Sequence, residues 1–334
     1  MEENLDNFEK SEKEPEQVKK DFIPHYFPTY RIRRNFYPLP IILVVIIAGI
    51  LAYITYIQAG VRIDGGYISE SEYGAIGGIL NGLIYTAIAA LSAFIIIFVI
   101  KRKGIGTLMY IFGVGFGIVA FFQTWFFGEI ILFLTFYNNP RIYYLLDVEL
   151  IFFTAVFTIF IIYKYFTSKS FKIKNFIVLY IGLLIGASMG VLMPLWTTMA
   201  ILIGISIWDM FAVLYRRGPI KQLIEMVSEP GEINSAYSED EIENKIESGE
   251  LAYDTSKVEI GIGDLAFYSM LTSSALVQTN NVIVMIFTSL AILVGTGITI
   301  MGLKRNKILP GLPISIFLGI GTMLLSWYLL SIIF

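Results

Sequence analysis

Nine long apolar runs constrain this chain more than any other feature. They fall at about residues 39–57, 75–100, 105–136, 145–166, 175–193, 195–215, 258–277, 281–303 and 309–333. Each reaches or approaches the roughly 20 residues that a helix needs to cross a hydrocarbon core. Composition agrees: 56% of the residues are hydrophobic and 15% are charged, whereas about a quarter of a soluble domain is charged. The expected fold class is an all-α membrane protein with nine transmembrane helices.

The basic residues set its orientation. If the N-terminus is cytosolic, 22 of the 24 lysines and arginines fall on the cytosolic side, and only Arg62 and Arg141 fall outside. That separation is what the positive-inside rule describes, so we expect a cytosolic N-terminus and an outside C-terminus, in the cell membrane. Four segments follow. Residues 1–35 form a polar cytosolic tail, too long and too acidic for the basic start of a cleavable signal. Residues 36–215 carry helices one to six. Residues 216–257 form an acidic cytosolic loop, with Glu239, Asp240, Glu241, Glu243, Glu247 and Glu250. Residues 258–334 carry helices seven to nine.

Several chemistries lack raw material. There is no cysteine, and the one histidine, His25, lies in the polar tail. Thiolate nucleophiles, cysteine zinc sites, serine–histidine hydrolysis and HExxH metal sites are all excluded from the apolar part. We expect no metal and no cofactor. A net charge of −3 also argues against a nucleic-acid partner carried by a basic field. Chemistry, if present, falls to carboxylates.

An ionisable side chain in a span is expensive and marks a candidate site. Glu129, Asp147 and Glu149 lie near the outer ends of spans three and four, around a loop holding Arg141, and an interfacial ion-pair cluster accounts for them. Asp209 and Asp264 differ. Asp209 stands seven residues before Arg216, and Asp264 seven residues after Lys257. At 1.5 Å per residue both lie roughly 10 Å inside the cytosolic charge line on consecutive antiparallel helices. Two carboxylates sharing a low-dielectric site cannot both ionise. Such a pair can act as an aspartic protease does, one group drawing a proton from water while the other polarises a carbonyl. It can equally be a structural carboxyl pair or a step in a proton relay.

Neighbouring residues add to the pattern. Asp264 ends the run Gly261-Ile262-Gly263-Asp264, whose glycines allow close backbone approach. Trp208 precedes Asp209. The ninth run opens Leu309-Pro310-Gly311-Leu312-Pro313, where two prolines favour extended, non-helical backbone at the same cytosolic depth. Elsewhere, Gly182, Gly186 and Gly190 repeat the spacing that lets helices pack closely. Gly113, Gly115 and Gly117 sit inside an apolar span and are no phosphate loop.

Three segments, in order, resemble the presenilin-type GxGD intramembrane aspartyl proteases, most closely a prokaryotic presenilin homologue. They are WDMFAVLYRRGPIKQLIEM from Trp208, GIGDLAFYSM from Gly261 and PGLPIS from Pro310. A long loop separates the first two, as in that family. The resemblance implies that Asp209 and Asp264 are the catalytic pair. It implies that Gly261 and Gly263 shape the turn beside Asp264, and that Pro310, Gly311, Leu312 and Pro313 border the site and hold a substrate extended. The family usually carries tyrosine at Trp208 and alanine at Gly311. Signal peptide peptidases share the motifs but sit inverted; prepilin peptidases lack the proline segment. The implied partners are transmembrane protein substrates within the lipid bilayer; accessory subunits are not legible. Two other readings use the same acids: a proton-coupled transporter with Asp209 and Asp264 as relay, and a non-catalytic channel or scaffold.

Overall fold

A computed structural model describes residues 16–18, 28–104, 106–215, 251–253, 257–303 and 311–333. The chain is overwhelmingly helical. Helix α1 is Pro38–Ala52 and runs into a π-helical turn, Tyr53–Gln58. Then come α2 Glu70–Lys103, α3 Thr107–Phe136, α4 Pro140–Thr167, α5 Phe171–Leu192 and α6 Leu195–Leu214. After the loop follow α7 Ile262–Thr279, α8 Val282–Leu303 and α9 Leu312–Ile333. Eight of these helical segments are long and apolar enough to cross a membrane; α7 is not among them.

The shortfall of α7 has a physical cause. Ser269, Thr272, Ser273 and Ser274 make it polar, yet all four are buried, because α1, α5, α6, α8 and α9 surround it. A helix enclosed by protein can carry hydroxyls where a lipid-facing one cannot. Ser269 donates to Leu265 O (2.8 Å) and Ser273 to Ala48 O on α1 (3.2 Å). The buried core runs through here: Leu265, Met270 and Leu271 of α7 share one buried cluster with Ile41 and Val44 of α1, Ile181 of α5 and Ile316 of α9.

Helix α5 supplies the closest approach. Gly182 faces the Ile262 carbonyl, Gly186 that of Ala266 and Gly190 that of Met270, so the repeated small residues form one seam against α7. On the other side of the fold, Gly78 and Gly82 of α2 lie against Trp196 and Ala200 of α6. Glu70 of α2 accepts from the Trp196 and Thr197 N–H groups at the start of α6, satisfying two of the donors that a helix leaves open there. Gly113 lies beside Phe166 and Gly117 beside Ile162, consistent with a helix-packing role.

Two short sheets depart from the expected organisation. Strand β1 (Glu16–Val18) pairs in parallel with β3 (Leu251–Tyr253). Strand β2 (Thr29–Arg33) pairs antiparallel with β4 (Lys257–Gly261), with Arg31 opposite Glu259. Residues 258–261 were expected to begin the seventh helix; they are extended, and the helix begins at Ile262. Val258 and Ile260 alternate with Glu259, a strand period, and β2 supplies the partner. Most of the expected tail and most of the loop at 216–257 lie outside the described residues.

Candidate active site

Strand β4 delivers Asp264. Gly261 ends the strand with extended backbone and serves as the N-cap of α7. Asp264 is the third residue of the helix, and its carboxylate stands beside Gly261. An acid at that position can reach back toward the cap residue's N–H, the arrangement of half a capping box. The spacing Gly-x-x-Asp is thus a helix start, and the carboxylate stands at the mouth of α7 rather than within a continuous span. Helix α6 delivers Asp209 five residues before its end. Both acids are half-buried.

The start of α9 joins them. The Leu312 N–H donates to Asp209 Oδ2 at 3.4 Å. A methyl group placed on Gly311 would stand 3.4 Å from Asp264 Oδ2 and 3.9 Å from its Oδ1. Leu312 therefore binds one carboxylate, and Gly311, the residue before it, lies beside the other. Leu312 is the first residue of α9 and Pro313 the second. That corrects the extended geometry expected for Leu312 and Pro313: proline suits a first helical turn, where its missing N–H costs nothing. The consequence is chemical. Helix starts expose unpaired N–H groups and a partial positive charge, and this one is aimed at Asp209. Pro310 lies outside the described residues.

Beneath the acids lies a polar relay that the sequence did not single out. Tyr268, one turn beyond Asp264, donates to Ser315 Oγ of α9 at 3.3 Å, and Ser315 shares a 3.0 Å hydrogen bond with Thr296 of α8. All three polar side chains are buried. They tie α7, α8 and α9 together just behind the carboxylates. The helical spacing of Tyr268 from Asp264 was the available signal.

Other expected site residues divide. Gly261 and Gly263 both precede Asp264 where strand passes into helix; a methyl on Gly261 would sit 3.7 Å from its Oδ2. Trp208 does not join the acids: its ring lies edge-on to Phe94 of α2 (5.9 Å) and beside Phe211 (5.6 Å). The outer carboxylates are not brought to the pair either. Glu129 accepts a short hydrogen bond from Tyr143, and among the described residues no ion pair links Arg141 to Glu129, Asp147 or Glu149, so the expected ion-pair cluster is replaced by a tyrosine contact. A separate cavity of about 370 Å³, lined by Tyr56, Arg62, Asp64 and Gln278 among others, contains neither aspartate of the pair.

The family model described as Presenilin matches residues 41–234 and 231–333. The chain belongs to the presenilin family. It is 40% identical over 135 residues to Presenilin-B of Dictyostelium discoideum, a match covering 38% of this chain and 25% of that protein. It is 23% identical over 325 residues to a presenilin-like protein of Arabidopsis thaliana, covering 77% of this chain and 79% of that one. Its fold is similar to the solved structure of a presenilin family intramembrane aspartate protease, with a TM-score of 0.55 at 13% identity, over 87% of this chain and 98% of the other. This presenilin-family chain is a multi-pass integral membrane protein, and its Asp209, Asp264 and Gly311–Leu312 stand together at one end of the bundle.

Proposed function

We propose that the chain is an intramembrane aspartyl protease of the GxGD type, hydrolysing a peptide bond in a transmembrane substrate helix with Asp209 and Asp264. The observation that carries this reading is the convergence of both carboxylates on the Gly311–Leu312 peptide. The two acids share one proton. The ionised member takes a proton from water as the water oxygen bonds to the scissile carbonyl carbon. The protonated member donates to the carbonyl oxygen, giving a neutral tetrahedral gem-diol. The first acid then returns its proton to the amide nitrogen while the other takes one from a gem-diol hydroxyl, so the C–N bond breaks to leave a carboxyl and an amine and the pair again holds one proton. The helix start at Leu312 favours the single negative charge that the pair retains.

A helical substrate shields its carbonyls, so it must unwind before attack. Among the described residues β4 pairs only with β2, which leaves β4 an edge where an unwound segment can add as a strand. That edge leads straight to Asp264. Family membership and the fold likeness to an aspartate protease support the same reading.

We also propose nine crossings, with α7 as the enclosed one, and a cytosolic N-terminus in the cell membrane. The β2–β4 pairing supports this count: both strands lie on one side of the bundle, and the six helices α1 to α6 between them return the chain to that side. The test is incubation of the purified protein with a labelled transmembrane peptide, read by mass spectrometry. Two complementary fragments cut within the span support proteolysis. Intact peptide, with proton flux in proteoliposomes that depends on either acid, would favour a relay instead.

A further inference from the structure

We propose that Asn175, on α5, is a positioning residue that holds Asp264 in register through two strands, an inference that rests on the proteolytic reading above. The chain of contacts begins with hydrogen-bond alternation. In an antiparallel pair, opposed residues alternate between those that exchange backbone bonds and those whose N–H and C=O point away. Here Ile262 N–H donates to Pro28 O at 3.1 Å, extending the β2–β4 ladder by one step. Counting from that bond, Tyr30 with Ile260 and Ile32 with Val258 are the bonded pairs, and Arg31 opposite Glu259 is not. The Arg31 N–H and C=O therefore face away from β4.

Asn175 meets both of them. Its Oδ1 accepts from Arg31 N–H at 2.9 Å, and its Nδ2 donates to Arg31 O at 2.7 Å. One side-chain amide thus takes the place of a third strand on the outer edge of β2. Asparagine is a weak helix former, and here it sits in the second turn of α5 with its amide spent on another element. On the inner edge, Arg31 Nε meets Glu259 Oε1 at 3.0 Å, and Thr29 Oγ1 donates to Glu259 Oε2 at 3.0 Å. Non-bonded pairs bring side chains closest, which is why this ion pair forms across Arg31 and Glu259.

The same logic reaches the acid. Gly261, opposite Thr29, is also a non-bonded position, so its N–H points away from β2, and the Asp264 carboxylate lies close by, 3.7 Å from where a methyl on Gly261 would stand. Helix α5 then fixes α7 directly: Gly182 lies against the Ile262 carbonyl and Gly186 against that of Ala266. Asn175 and Gly182 stand two turns apart on α5. One helix therefore sets both the strand entering Asp264 and the helix leaving it, while Asp209 is carried by α6. A slip of β2 and β4 changes the distance between the acids without touching either.

The experiment uses the full chain in detergent with a labelled transmembrane peptide. Asn175→Leu removes both bonds at similar volume; Asn175→Gln keeps both groups. We measure kcat, KM, melting temperature and amide hydrogen exchange over residues 258–264. For Asn175→Leu we expect kcat to fall about tenfold or more, as small misplacements of reacting groups do. KM should stay within about twofold, since the substrate edge of β4 remains. Exchange at Ile260 and Ile262 should accelerate, and Asn175→Gln should recover part of both effects. Unchanged kcat in Asn175→Leu, with a wild type that cuts, overturns the inference alone. A fall in kcat that follows melting temperature, with exchange at Ile260 and Ile262 unaltered, reduces Asn175 to a structural residue and also overturns it. A wild type that cuts no peptide overturns the proteolytic reading and this inference with it.

Discussion

Replacing Gly190 by alanine should separate α5 from α7, and the size of the effect follows from the contact. An added methyl would stand 2.5 Å from the Met270 carbonyl oxygen, 2.7 Å from Ser273 Cβ and 3.0 Å from Ser274 N. Comfortable contact needs about 3.5 Å, so one helix must retreat by roughly 0.5–1 Å. Two of the three atoms are backbone, and none can rotate aside. Overpacking of this kind costs about 1–3 kcal/mol. Alanine also removes the conformational entropy penalty of a helical glycine, worth about 0.5–1 kcal/mol. Gly115 on α3 isolates that second effect, because nothing lies within 4 Å of where its methyl would stand. The helix contribution is common to both substitutions and cancels in their difference. Gly115→Ala should melt at or slightly above the wild type, and Gly190→Ala below Gly115→Ala by about 2–8 °C. The assay is thermal unfolding of both variants, purified in one detergent and followed by circular dichroism. Equal melting temperatures, or a lower one for Gly115→Ala, would refute the claim that the α5–α7 seam is held at contact distance.

Further outcomes concern the site. Gly311→Ala should fold and cleave, because its methyl reaches only ordinary contact with Asp264 Oδ2 at 3.4 Å, whereas Gly311→Leu should fold and lose about tenfold or more in kcat/KM by covering that carboxylate; equal activity of the two variants would remove Gly311 from the site. The pH dependence of kcat/KM should be bell-shaped. Below the acid limb both aspartates hold protons and no base remains, and above the alkaline limb both are ionised and no acid remains; the two limbs belong to the pair. A profile flat from acid to alkaline pH, with chemistry limiting, would rule out a shared proton.

The membrane character and the acid pair were legible because their signals are local. Apolar runs announce themselves within about 20 residues, and Asp209 and Asp264 stand out against apolar neighbours. The β2–β4 sheet was not legible. Thr29–Arg33 and Lys257–Gly261 are five residues each and pair across 228 positions of sequence, from Arg31 to Glu259. Strands that short carry little pattern, and their pairing depends on where six helices return the chain. The start of α9 differs from the sequence expectation for another reason. A proline with fixed φ serves either extended backbone or a first helical turn. What accompanies the helix here is a carboxylate, Asp209, ready to accept the Leu312 N–H, and that contact exists only in three dimensions. Trp208 shows the limit of adjacency: it neighbours Asp209 in sequence, but its ring turns to Phe94 of α2.

The most direct measurement compares Asp209→Ala and Asp264→Ala, each alone, with the wild type on one labelled transmembrane peptide, after all three proteins are shown to melt as folded species. In the proposed mechanism the two acids act as one unit, so neither should substitute for the other. We expect complementary fragments from the wild type and none above background from either variant. Cleavage at the wild-type rate by either folded variant would contradict a catalytic pair at Asp209 and Asp264.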